Sequence, residues 1–69
     1  MSKVEYDKLA WETGKKFIAS QKKIGKNPSV DDIAKHIESD FNEKKIRGPS
    51  GNLLAWTSIK KVIPRIKDI

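Results

Sequence analysis

Along the first third of the chain Tyr6, Leu9, Ala10, Thr13, Phe17 and Ile24 recur at steps of three, four or seven. That spacing places side chains on one face of an α-helix and predicts a helix from about residue 4 to 23. Trp11 and Ile18 fall seven residues apart on a flanking face, with Gly14 between them. A glycine inside a helix costs about 1 kcal/mol relative to alanine, so its expected use is to let another element approach closely. The alternative is that it marks a break. The run Gln21-Lys22-Lys23-Ile24-Gly25-Lys26 ends the helix, with cations suited to the negative end of the dipole and a glycine suited to the left-handed cap.

Asn27-Pro28 forces an extended turn, because proline disfavours helical geometry in the residue before it. Ser29 then stands as an N-cap, with Asp32 three residues later in a capping-box position and both Asp31 and Asp32 favourable at the positive end of the helix. Val30, Ile33, Ala34, Ile37 and Phe41 form one apolar stripe over a predicted helix from about 30 to 42, and Ala34 is small enough for a close helix crossing.

The pattern blurs between Glu43 and Ala55. Gly48-Pro49-Ser50-Gly51 is a turn signal, flanked by Lys45-Ile46-Arg47 and Asn52-Leu53-Leu54, which could pair as a short hairpin. Leu53, Trp56, Lys60 and Ile63 also have helical spacing, which would start a helix at Asn52. Thr57 and Ser58 are both capable caps for a later start. In either version Pro64 should end or kink the helix near Ile63, with Ile59, Val62, Ile63 and Ile66 on its buried side.

The length of 69 residues allows one domain, 1–69, with a small core, because a chain of this size buries only about 60% of the surface it exposes when unfolded. Without cysteine, neither disulfides nor thiolate metal sites can reinforce it. The N-terminal residues are interrupted by charges, unlike a secretory signal, and no stretch approaches the roughly 20 apolar residues of a membrane span. No membrane role is therefore expected, and the expected location is the cytoplasm.

Fifteen Lys and Arg against nine Asp and Glu give a net charge of +6. A polyanion is the first partner to consider, since phosphate neutralisation supplies most non-specific nucleic-acid affinity. A lysine-rich surface is also how small domains stay soluble. Placement separates the two readings: five of the nine acids lie at or before Asp32, whereas Arg47 to Arg65 holds four basic residues and no acid.

The Ile33-Ala34 pair, the run Phe41-Asn42-Glu43-Lys44-Lys45-Ile46, Gly51 and Trp56-Thr57 resemble the helix-turn-helix part of serine recombinases and related phage and plasmid proteins. The resemblance covers about half the chain, with Phe41 where leucine is usual and Lys45 where glycine is usual. Lys22 to Ala34 also looks like the region-three helix-turn-helix of bacterial sigma factors. Together these imply a mainly α fold, a small three-helix helix-turn-helix domain, with a hairpin wing around residues 45–55 as an option. The implied function is double-stranded DNA binding by a regulator or a recombinase-associated domain of a mobile element.

In such a domain the last helix enters the major groove and the preceding one crosses the backbone. With a start near Thr57, Ser58, Lys60 and Lys61 face the groove, Arg65 and Lys67 extend the basic stripe, and the hydroxyls of Thr57 and Ser58 with nearby free amides offer phosphate donors. Lys44, Lys45 and Arg47 form a basic turn of the sort that touches a backbone or minor groove. Each of these side chains reads equally as a solvated surface group. Tyr6, Trp11, Phe17 and Trp56 are expected to be packing residues first.

His36 is the only histidine, on the side of its helix away from the apolar stripe, and lacks the companion ligands a metal site requires. Asp31, Asp32, Glu38, Asp40 and Glu43 serve as caps and surface charge, so no enzyme, cofactor or small-molecule substrate is expected. One such module buries only about 600 to 1,000 Å² on DNA, which makes a homodimer or a larger protein the expected setting. The competing reading is a protein-interaction module presenting the Trp11-Ile18 flank, or Leu53, Leu54 and Trp56, as an exposed apolar patch.

Overall fold

A computed structural model describes residues 2–66, with side chains as far as Pro64. Three helices follow in order: α1 (Lys3–Lys23), α2 (Val30–Lys44) and α3 (Trp56–Ile66). The first starts where Ser2 Oγ accepts from the Glu5 amide at 3.2 Å. It ends in a Schellman motif: Gly25, at φ +76°, donates to the Lys22 carbonyl and Lys26 donates to Gln21.

The capping box at the start of α2 is complete. The Ser29 amide donates to Asp32 Oδ2 and the Asp32 amide donates to Ser29 Oγ, each at 3.2 Å, so the shorter aspartate spans the distance a glutamate usually covers. At its other end Lys45 takes the left-handed conformation, φ 57° and ψ 37°, while Ile46 donates to the Phe41 carbonyl and Lys45 to Asn42. This is the same motif with a lysine in the glycine's place. A side chain there clashes with its own backbone at a cost of about 1 kcal/mol. Lys45→Gly is therefore expected to raise stability by about 0.5–1 kcal/mol even though glycine loosens the unfolded chain, read as an upward shift of the thermal midpoint. A lower midpoint would mean that Lys45 makes a compensating contact.

The core consists of Tyr6 and Ala10 from α1, Ile33, Ala34, Ile37 and Phe41 from α2, and Ile59 and Ile63 from α3. Tyr6 meets Phe41 edge-on with ring centroids 5.4 Å apart, while Phe17 stacks on His36 at 4.3 Å, so α1 and α2 run antiparallel. Gly14 lies at their crossing: a methyl in its place would stand 3.3 Å from Ile33 Cγ2 and 3.5 Å from Ile37 Cδ1. Close approach, and not a break, is its role. His36 correspondingly covers an aromatic ring instead of pointing only into water.

Several expectations from periodicity are corrected at the edges of these elements. Ile24 caps α1 and is 64% exposed, and Val30 is 40% exposed, because each sits where the helix has not yet reached, or has already left, its neighbour. Asp7, one step from Tyr6, is buried. No strand occurs among the described residues, so the stretch 45–55 is a loop and not a paired hairpin. Its turn is closed by Gly48 donating to the Asn52 carbonyl and Gly51 donating to Gly48. The third helix begins at Trp56, neither at Asn52 nor at Thr57 or Ser58, and continues through Pro64 to Ile66. Amphipathic packing of Ile59 and Ile63 carries it past a residue with no amide to offer the Lys60 carbonyl.

Candidate nucleic-acid interface

The first turn of α3 is capped from another helix. Ala55 supplies the carbonyl that accepts from Ser58 and Ile59 at 3.0 and 3.2 Å, but alanine has no side-chain acceptor for the remaining amides. Glu38, half-buried on α2, fills that role: its Oε2 accepts from the Trp56 amide at 2.6 Å. A charge-assisted bond of this kind to a helix N-terminus contributes about 1–2 kcal/mol. Glu38→Ala should remove that amount and expose the Trp56 amide to hydrogen exchange, whereas Glu38→Gln keeps an acceptor and most of the protection. Equal exchange rates in all three proteins would exclude the cap.

This cap changes the expected anion site. Free amides at the start of α3 were the anticipated phosphate donors, yet the Trp56 amide is taken by a carboxylate and the Ser58 amide by the Ala55 carbonyl. A phosphate there would have to face the Glu38 charge. Thr57 and Ser58 are not caps but exposed residues within the first turn.

The cations divide into engaged and open groups. Lys60 Nζ lies 2.6 Å from Asp31 Oδ1 on α2, both side chains about half exposed (47% and 46%), so Lys60 lies along the α2-facing flank of α3. Trp56, one turn earlier on that flank, is half-buried with the Lys35 ammonium 4.9 Å from its ring centroid. With Trp56 beside Glu38 and Lys60 beside Asp31, α3 runs antiparallel to α2. Thr57 and Lys61 are one turn apart on the outer face, exposed, with Ser58 exposed beside them.

In the loop, Arg47 Nη1 donates to the Gly51 carbonyl at 3.0 Å, bracing the turn while the side-chain bond itself stays exposed to solvent. Lys45 is exposed, and Lys44 pairs with Asp40 at 3.2 Å one turn back. The Arg65 side chain and all of Lys67 lie outside the described residues. Residues 45–55 make a longer connection than the three- or four-residue turn of a helix-turn-helix. Sequence reasoning missed the Asp31–Lys60 pair and the Glu38 cap, since 29 and 18 positions along the chain separate the partners.

Of the apolar patch Leu53, Leu54 and Trp56, only Leu53 is exposed, at 48%, and Trp11 and Ile18 are half-buried against the core. A hollow of about 240 Å³ is lined by Lys8, Trp11, Glu12 and Lys15 of α1 alone. No group of three metal-ligating residues occurs among the described residues, and no described helix is long and apolar enough to cross a membrane. Comparison with protein-family models, with curated proteins and with solved structures gives no match.

Proposed function

We propose that this chain is a non-enzymatic module that binds double-stranded DNA through the outer face of α3 and the basic loop before it. The observation that carries the reading is charge segregation. Residues 44–67 contain Lys44, Lys45, Arg47, Lys60, Lys61, Arg65 and Lys67 and no acid, while five of the nine acids, Asp31, Asp32, Glu38, Asp40 and Glu43, belong to α2. A duplex meeting α3 and the loop encounters an acid-free run of cations, bordered on the α2 side by Asp31 and Glu38 where they touch α3.

On this reading Thr57, Ser58 and Lys61 approach the groove, and Lys45 and Arg47 reach a neighbouring phosphate from the loop, which takes the place of a wing. Ile59 and Ile63, one turn apart, anchor the inner face of the helix so that those side chains point outward. Lys60 contributes only on leaving Asp31. The resemblance to recombinase-type helix-turn-helix domains supports a cytoplasmic regulator or recombinase-associated role, and the small contact area favours action as a homodimer or within a larger protein.

Fluorescence anisotropy with a random duplex of about 20 base pairs at about 50 and 200 mM salt tests this. Affinity should fall steeply with salt. The double substitution Arg47→Ala and Lys61→Ala should weaken binding about tenfold and reduce the logarithmic salt slope by about 2, one for each lost phosphate contact, with the fold retained. Absence of binding at the lower salt would sink the reading and leave the Leu53 surface as a protein-contact site.

A further inference from the structure

We infer that Asp31 sets the DNA affinity of this chain by acting as an internal stand-in for phosphate, holding Lys60 until a duplex displaces it. The inference rests on the DNA-binding reading and adds a residue that lies outside the basic surface. Its basis is the 2.6 Å contact between Lys60 Nζ and Asp31 Oδ1, which is shorter than the Lys44–Asp40 pair and, unlike it, joins different helices.

The pair's surroundings favour competition over permanent closure. Both side chains are about half exposed, so water screens the attraction and the bond holds Lys60 without locking it. Neighbouring carboxylates on α2 are engaged elsewhere, Asp32 with the Ser29 amide and Glu38 with the Trp56 amide. Asp31 is the first-turn carboxylate of α2 that faces α3. It opposes DNA in two ways. It occupies a cation that a phosphate would otherwise attract, and its own charge remains beside that phosphate once Lys60 has turned away.

The position of Asp31 strengthens this. Lys60 belongs to the acid-free stretch 44–67 and is adjacent to the outward Lys61. Asp31 thereby brings a negative charge from another helix to the border of that stretch. Substituting it with asparagine keeps the shape and removes the charge, so Lys60 becomes available and the nearby repulsion disappears.

The experiment is an anisotropy series with the random duplex at low salt: wild type, Asp31→Asn, Lys60→Ala, and the two combined, with Glu12→Gln on α1 as an equal change of net charge. Thermal unfolding of each protein checks that the fold is kept. Asp31→Asn should tighten binding about three- to fivefold, an effect that shrinks as salt rises. Lys60→Ala alone should weaken binding less than about twofold, because Asp31 already neutralises that lysine, and in the Asp31→Asn background it should remove the part of the gain that comes from freeing Lys60, leaving the part that comes from the lost repulsion. If the wild type binds and Asp31→Asn is unchanged, the inference fails while the DNA reading stands. It fails in the same way if Glu12→Gln tightens binding as much as Asp31→Asn, or if Asp31→Asn tightens binding as much without Lys60 as with it. If none of the proteins binds the duplex, both readings fall together.

Discussion

Ile37→Ala is expected to cost about 3 kcal/mol or more and to leave much of the chain unfolded at physiological temperature. Ile37 is fully buried on α2, with its Cδ1 next to the α1 crossing at Gly14. Truncation removes the transfer energy of the lost carbons and leaves a cavity that rigid helices close only in part, typically about 2–5 kcal/mol. Chains of this size have about 3–10 kcal/mol in total, at roughly 0.05–0.15 kcal/mol per residue, and no disulfide makes up a loss. The thermal midpoint should fall by roughly 12–24 °C, at about 4–8 °C per kcal/mol for small domains. Ile24→Ala, at an exposed position, should stay within about 0.5 kcal/mol of wild type. Comparable effects from the two substitutions would mean that the α2 stripe is not the centre of the core.

The second large effect is alkaline. Burial disfavours the phenolate of Tyr6, and the neighbouring Asp7 charge adds to the cost, pushing its pKa up from 10.0 to about 12. Because the folded value lies above the unfolded one, the fold prefers the neutral phenol. Stability from this source is intact below about pH 10 and drains away as pH rises toward 12. The difference amounts to roughly 2–3 kcal/mol. Denaturation midpoints measured from about pH 9 to 12 should therefore fall more steeply for wild type than for Tyr6→Phe, which cannot ionise. Tyr6 is the only tyrosine, so its tyrosinate absorbance follows the same event directly. Parallel curves for the two proteins would show that Tyr6 ionises without opposition from the fold.

Local signals in the chain carried much of the architecture. Ser29, Asp32 and the Ile33-Ala34-Ile37-Phe41 stripe were sufficient to place α2, because a cap and an amphipathic face are both satisfied within a few residues. Gly25 and the lysines before it similarly marked the end of α1. The start of α3 was not legible. Its cap is a glutamate 18 positions earlier, and Thr57 and Ser58 offer a misleading choice of local caps.

The candidate interface divides along the same line. The acid-free basic stretch 44–67 and the exposure of Lys45, Thr57 and Lys61 follow from composition and helical spacing. Which cations are open does not: Lys60 and Lys61 are neighbours in sequence, yet one meets Asp31 and the other faces outward, since successive helix positions turn by about a quarter of a circle or slightly more.

Three features could be read from the residues alone: a mainly α chain, most of the side chains that form the core, and a positive C-terminal half. Each depends on short-range spacing or on charge totals. Folding in three dimensions settled the rest, making 45–55 a loop, starting α3 at Trp56 under a carboxylate from α2, and bringing Asp31 to Lys60. Those outcomes rest on which surfaces meet across helices, where contact energy depends on distances in space that separation along the chain does not encode.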